Sequence, residues 1–138
     1  MDKTTKHLIK NCGIINDDCR ESIPLNGLIH RIVELNAIAK DFGTVFYRAK
    51  LHNCTLVLTP KILLSEKTWE ILWKVQNFNV FNNDNDPYGE HDFGIIEVDG
   101  ESYHFKFDYF QDETLQYTPE NYLIEAYRVL TILHLSEY

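Results

Sequence analysis

Asp99-Gly100 stands between two stretches of alternating side chains, residues 92–98 and 101–110. Both central positions of a type I′ turn need positive φ, which Asp and Gly tolerate, and alternation with period two is the pattern of a half-buried strand. This pair of stretches therefore predicts a β-hairpin, and the hairpin constrains everything around it. In the second strand Tyr103, Phe105, Phe107 and Tyr109 share one face, while Ser102, His104, Lys106 and Asp108 share the other. The aromatic face is expected to meet the core, so the opposite face presents His104, Lys106 and Asp108 in a row. A two-residue turn pairs Val98 with Glu101, Ile95 with His104, and His91 with Asp108. Paired side chains sit about 5 Å apart at Cβ, within reach of a His–Asp hydrogen bond. His91, His104, Lys106 and Asp108 are thus the candidate catalytic residues, because a carboxylate that orients an imidazole is an ingredient of acid–base chemistry. Two other readings stand beside this one. A solvated face carrying cross-strand charge pairs looks the same in sequence, and a three-residue turn with Gly100 left-handed shifts the register by one and dissolves the dyad.

The rest of the chain is read around this hairpin. Residues 1–24 are polar, with Gly13 and Pro24 as breakers, and are expected to form a mobile or loosely docked N-terminal arm. Residues 25–138 then make a single domain, as the length of 138 residues suggests. From Asn26 to Gly43, Leu28, Ile32, Leu35, Ala39 and Phe42 recur at helical spacing, with Asn26 and Gly43 as caps. Residues 44–49 and 54–59 read as two short strands, the second stopped by Pro60. Ser65 can cap a helix over 66–78, striped by Trp69, Leu72, Trp73 and Val75. A turn-rich loop spans 79–90. Residues 120–135 read as a final helix, although Val129 to Leu133 is β-branched enough for a strand. The expected fold is α+β: a small antiparallel sheet with a central Asp-Gly hairpin, packed against two or three helices.

Charge divides the chain sharply. Residues 1–74 carry 11 basic and 8 acidic side chains, a net +3, whereas residues 75–138 carry 2 and 13, a net −11. No Lys or Arg lies between Lys74 and Lys106. That argues against direct nucleic-acid binding, since phosphate affinity comes mostly from Lys and Arg. Asp84, Asp86, Glu90, Asp92, Glu97, Asp99 and Glu101 instead offer a surface for a partner with a basic face. No apolar run reaches the roughly 20 residues of a membrane span, and residues 1–10 lack a signal-like apolar core, so a cytoplasmic protein without membrane attachment is expected. Three cysteines, Cys12, Cys19 and Cys54, cannot close a disulfide framework.

Several short patterns imitate known sites. The segment from Asn82 to Asp92 is dense in oxygen ligands, and Asp84, Asp86 and His91 are the candidate cation ligands. Started at Asp84, Asp86 and Gly89 fit an EF-hand loop, but Tyr88 and Ile95 break it. Asn and Asp side chains bonding their own backbone in tight turns explain the same composition. Asp92-Phe93-Gly94 spells a kinase motif without the Gly-rich loop that accompanies it. His52, Cys54, Cys12 and Cys19 have no zinc-knuckle spacing, and Cys54 in a strand reads as a small core residue. Arg128, nearly alone in the acidic half, reads as a structural bridge or an anion contact. No cofactor is expected.

The stretch from Asn85 to Gly94 (NDPYGEHDFG), Lys106-Phe107-Asp108-Tyr109-Phe110, Leu56-Val57-Leu58-Thr59-Pro60 and the closing Arg128-Val129-Leu130-Thr131-Ile132-Leu133 with Glu137-Tyr138 together resemble a family of small bacterial proteins of unknown function, often plasmid-related. The resemblance covers roughly residues 28–138; the segment 44–53 is longer than usual, and Phe105 stands where Trp is expected. It implies a bacterial, cytoplasmic, mobile-element setting and brings no activity or catalytic residues. The expected function is a non-enzymatic interaction or inhibitor module, anti-defence or regulatory, using the acidic loop and hairpin. The alternative is a small metal-dependent or acid–base enzyme using His91, His104 and Asp108.

Overall fold

The hairpin forms as the sequence dictates. Asp99 and Gly100 take φ of 52° and 77°, and the register runs from Val98↔Glu101 through Ile95↔His104 to Phe93↔Lys106. The computed structural model describes residues 3–42, 44–52, 54–115 and 126–138. Helices α1 (Lys3–Glu21) and α2 (Leu25–Phe42) lead into β1 (Tyr47–Lys50) and β2 (Thr55–Leu58). Then follow α3 (Pro60–Leu64), α4 (Thr68–Gln76), β3 (Phe93–Val98), β4 (Glu101–Phe110) and β5 (Tyr127–His134), closed by a 3₁₀ turn, Leu135–Glu137.

The architecture is α+β, a five-stranded and mostly antiparallel sheet in the order β1-β2-β5-β4-β3 with helices packed on one face. The hairpin β3–β4 is therefore at the edge of the sheet rather than its centre. The central strand is β5, parallel to β2 and antiparallel to β4. Residues 127–134, expected as part of a helix, are this strand, while 120–125 lie outside the described residues. The physical reason is burial on both faces: Leu130 and Ile132 enter the main core, and Val129 and Leu133 are buried on the opposite side. A strand covered on both faces reads as an unbroken apolar run, which periodicity alone does not separate from a buried helix.

The aromatic face of β4 is in the core as expected. Phe105 is fully buried and Tyr103 and Phe107 nearly so, packed with Leu56, Leu58, Ile62, Ile71, Leu72 and Val75. Helix α2 contributes Leu25, Leu28, Ile32 and Ala39, the i, i+3, i+4 series of an amphipathic helix. Burying a large apolar side chain contributes about 1.5–3 kcal/mol each, which is what fixes the helices to the sheet. Pro60 both ends β2 and opens α3, where its missing N–H falls in a first turn that needs no partner.

The segment expected to be an arm is different. Residues 3–21 are a 19-residue helix that buries Ile9, Cys12, Asn16, Cys19 and Arg20. These positions follow helical spacing, but two of them are polar, so hydrophobicity alone hides the stripe. Helix α1 approaches the loop before β3 so closely that a Cβ on Gly13 would lie 2.7 Å from the Gly89 carbonyl oxygen.

Candidate functional site

The inward polar residues of α1 organise the loop that carries the acidic motif. Asn16, fully buried, donates from Nδ2 to the Glu90 carbonyl (3.0 Å) and the Tyr109 hydroxyl (2.8 Å). Its Oδ1 accepts from Arg128 Nε at 3.1 Å, and Arg128 Nη2 contacts the Cys12 sulfur at 3.6 Å. One amide thus ties together α1, the loop, β4 and β5. Arg128 also lies over the Tyr109 ring, 5.3 Å from its centroid. Burial pushes the Tyr109 hydroxyl up, so it stays protonated.

A second cluster lies one helical turn further along. Arg20, almost fully buried, donates from Nη1 to the Val75 and Phe78 carbonyls at 2.9 and 2.8 Å and from Nη2 to Asp17 at 2.6 Å. Its guanidinium also lies over the Phe81 and Phe105 rings. Asp17 in turn meets His91 Nδ1 at 2.9 Å. The His91 ring stacks flat on Phe81, with centroids 3.9 Å apart and 2° between planes. Its backbone has φ of 55°, held there by Asp86, whose carboxylate accepts the His91 N–H at 3.2 and 3.3 Å.

This left-handed residue corrects the expected His91–Asp108 dyad. The hairpin register is as anticipated, but strand pairing ends at Phe93↔Lys106, with one more bond from Phe107 N–H to the Asp92 carbonyl. At His91 the chain turns, and the side chain goes to Asp17 and Asp86 instead of across the sheet. Asp108 pairs with Lys106 at 2.8 Å. His104 does not join a solvated polar row either. It is 6% exposed, wedged against Phe93 (5.3 Å) and Tyr138 (5.4 Å), and neither ring nitrogen has a hydrogen-bond partner among the described residues. Burial, and then the nearby His134, lower its pKa, so the ring is neutral. Lys106 and Asp108, on the same sheet face, are partly exposed.

The cation candidates separate in the same way. Asp86 lies 3.5 Å from His91 Nε2, but Asp84 is exposed and part of a turn in which Asn82 Oδ1 accepts the Asp84 and Asn85 N–H groups at 2.9 and 3.1 Å. Among the described residues no three His, Cys, Asp or Glu side chains gather to hold a metal ion. The seven partner-surface carboxylates fall into two groups. Asp86 and Glu90 are buried, and Asp92 is half-buried with its pKa raised by burial. Asp84, Glu97, Asp99 and Glu101 are exposed. Asp99 lies 3.6 Å from Lys67, and Glu101 accepts a hydrogen bond from His134 Nε2 at 2.7 Å.

The part of the chain that carries these contacts on the sheet side has a recognisable sequence. A family model described as "Protein of unknown function (DUF3768)" matches residues 58–137, more than half of the chain. The chain belongs to this family. The DUF3768 match takes in the loop, the hairpin and β5, whereas α1, which supplies Asn16, Asp17 and Arg20, lies before it. No curated protein and no solved structure matches the chain. No described helix is long and apolar enough to cross a membrane.

Residues missed by sequence reasoning are those of α1 and Tyr109. The signal was present in the spacing of Ile9, Cys12, Asn16, Cys19, Arg20 and Ile23, a helical stripe in which Asn and Arg occupy inward positions.

Proposed function

We propose that this DUF3768 protein is a non-enzymatic interaction module that receives a basic, extended segment of a partner protein along β3 and its turn. The supporting observation is the open edge of the sheet at β3. Among the described residues no strand pairs with its outer side. Since Asp92 and Phe107 are hydrogen-bonded across the hairpin, the alternate residues Phe93, Ile95 and Glu97 direct their backbone groups outward. Among the described residues, the only one of these groups with a partner is the Glu97 carbonyl, which accepts from Lys74 Nζ at 2.8 Å. Ile95 is half exposed on this edge, and the exposed carboxylates Glu97, Asp99 and Glu101 follow it along the end of β3 and the turn. Strand addition takes affinity from backbone hydrogen bonds and selectivity from flanking side chains, here carboxylates and one isoleucine.

The buried His104 and the separated His91 and Asp108 give the acid–base reading no assembled site, and the interaction reading is preferred for that reason. The resemblance of the loop and hairpin motifs supports a bacterial, cytoplasmic and mobile-element setting for it, with an anti-defence or regulatory role. The experiment is a pull-down from a bacterial host at about 0.1 M and about 1 M salt, where screening lengths differ severalfold, with the wild type and a Glu97→Lys/Asp99→Lys variant. A basic protein retained by the wild type at low salt, released at high salt and lost with the variant is the expected result. Retention that ignores both salt and the charge reversal, or recovery of chaperones alone, would sink the proposal.

A further inference from the structure

The two ends of the sheet carry opposite charge. β1 is the end away from β3, and among the described residues no strand pairs with its outer side. Leu51 N–H bonds to the Cys54 carbonyl at 2.8 Å, so by alternation Tyr47 and Ala49 bond to β2, while Arg48 and Lys50 direct their backbone groups outward. Both of these side chains are exposed. Lys50 lies 3.7 Å from Glu113, itself largely exposed, a contact that water screens. Arg48 and Lys50, paired with Val57 and Thr55, stand on the sheet face away from Leu56 and Leu58 in the core. On β3, Ile95 and Glu97, paired with His104 and Ser102, stand on that same face. A basic edge and an acidic edge thus present outward backbone groups and side chains in the same arrangement.

Strand direction completes the match. β1 runs against β2, β2 runs with β5, β5 runs against β4, and β4 against β3. Within one chain β1 and β3 therefore point in opposite directions. A second copy set beside the first in the same orientation brings its β1 antiparallel to β3, with the helices of both copies on one side of the sheet. We propose that the basic segment received at β3 is β1 of a second copy, so that chains join head to tail into one continuous sheet; this rests on the reading of the β3 edge given above. With Arg48 set opposite Glu97, Lys50 falls opposite Ile95 and lays its methylene stem on the isoleucine. The Glu97 carbonyl exchanges Lys74 Nζ for the Arg48 N–H, and Lys74 keeps Glu70, 3.9 Å away. Symmetric junctions are disfavoured by like charges: β1 against β1 sets Arg48 and Lys50 on one another, and β3 against β3 does the same with Glu97 and Asp99. Because the contact uses a different surface on each side, assembly continues past two copies, to a ring or a filament.

The test is sedimentation of the full chain across a wide range of protein concentration, at about 0.1 M and about 1 M salt. At low salt the mass is expected to rise with concentration beyond that of a dimer, and at high salt to fall to that of the monomer. Hydrogen exchange should slow in peptides from β1 and β3 as the mass rises. Arg48→Glu/Lys50→Glu and Glu97→Lys should each stay monomeric alone, whereas their equimolar mixture assembles, since every junction in it again sets acid against base. Far-UV circular dichroism verifies that the variants are folded, and the wild-type series stands without them. A mass that stops at two copies, that ignores salt, or that the mixture fails to restore would overturn the proposal. If the wild type stays monomeric while the pull-down still yields a basic protein lost on charge reversal, self-association fails and the reading of the β3 edge survives. If both come back empty, both fail.

Discussion

Replacing Asn16 by Ala separates a docked helix from a loose arm more sharply than any other single change. Besides a long contact to the Cys12 sulfur, the buried amide makes three hydrogen bonds, to the Glu90 carbonyl, the Tyr109 hydroxyl and Arg128 Nε. The two neutral bonds contribute about 1 kcal/mol each, and the bond to the guanidinium about 1.5–3 kcal/mol. The expected loss is therefore about 3–5 kcal/mol, a large fraction of the roughly 5–15 kcal/mol that holds a domain of this size together. It corresponds to a fall in melting temperature of roughly 10–20 °C. Urea unfolding followed by circular dichroism gives the free energy directly, with Asp18→Ala, at an exposed position of the same helix, as the reference. Asp18→Ala should change stability by no more than about 0.5 kcal/mol. If Asn16→Ala costs less than about 1 kcal/mol and tracks the Asp18 reference, the buried network is not formed and the reasoning about α1 fails.

Gly13→Ala should destabilise by about 1–3 kcal/mol despite the better helix propensity of Ala, because the new methyl meets the Gly89 backbone oxygen at 2.7 Å and backbone yields less readily than a side chain; thermal melts measure it, and an unchanged melting temperature would contradict the packing. His104 is held neutral, its folded pKa below the unfolded value of about 6.5. Between the two values the unfolded chain binds more protons, so this stability is fully present above about pH 6.5 and is lost as pH falls through the folded pKa. His104→Phe should flatten that acid-side slope in urea midpoints measured from about pH 7.5 to about pH 5, and should be neutral or stabilising at the upper end, since it removes two unpartnered nitrogens; a slope identical to that of the wild type would assign the titration elsewhere.

Much of the sheet was legible in the sequence because local rules and tertiary packing agree there. The Asp99-Gly100 turn set the register, and alternation in β4 placed Tyr103, Phe105 and Phe107 in the core. Helix α2 was legible for the same reason, as its apolar stripe is unbroken by polar residues. Helix α1 was not, because Asn16 and Arg20 point inward to satisfy backbone carbonyls and side chains far away in sequence, and no window of neighbouring residues contains those partners. β5 was ambiguous because burial on both faces erases its period. The candidate site failed at one dihedral: correct pairing arithmetic brought His91 opposite Asp108, but positive φ at His91 ended the strand before that pair could form. The carboxylates of the loop were easy to count and hard to sort. Composition does not distinguish Asp86 and Glu90, turned inward, from Glu97 and Asp99, left in water.

The placement of β5 between β2 and β4 has a kinetic consequence. Each flanking hairpin, β1–β2 and β3–β4, closes over a few residues and can form early and alone. The strand that joins them follows both in sequence, and its parallel partner Thr55–Leu58 lies more than 70 residues before it. During synthesis the inner edges of β2 and β4 therefore stand open until Tyr127–His134 arrives, and the sheet becomes one cooperative unit only at that insertion. Substitutions that weaken β5 should consequently act on the folding rate as much as on the final stability, and the waiting edges are where a slow-folding chain would first pair with a neighbour.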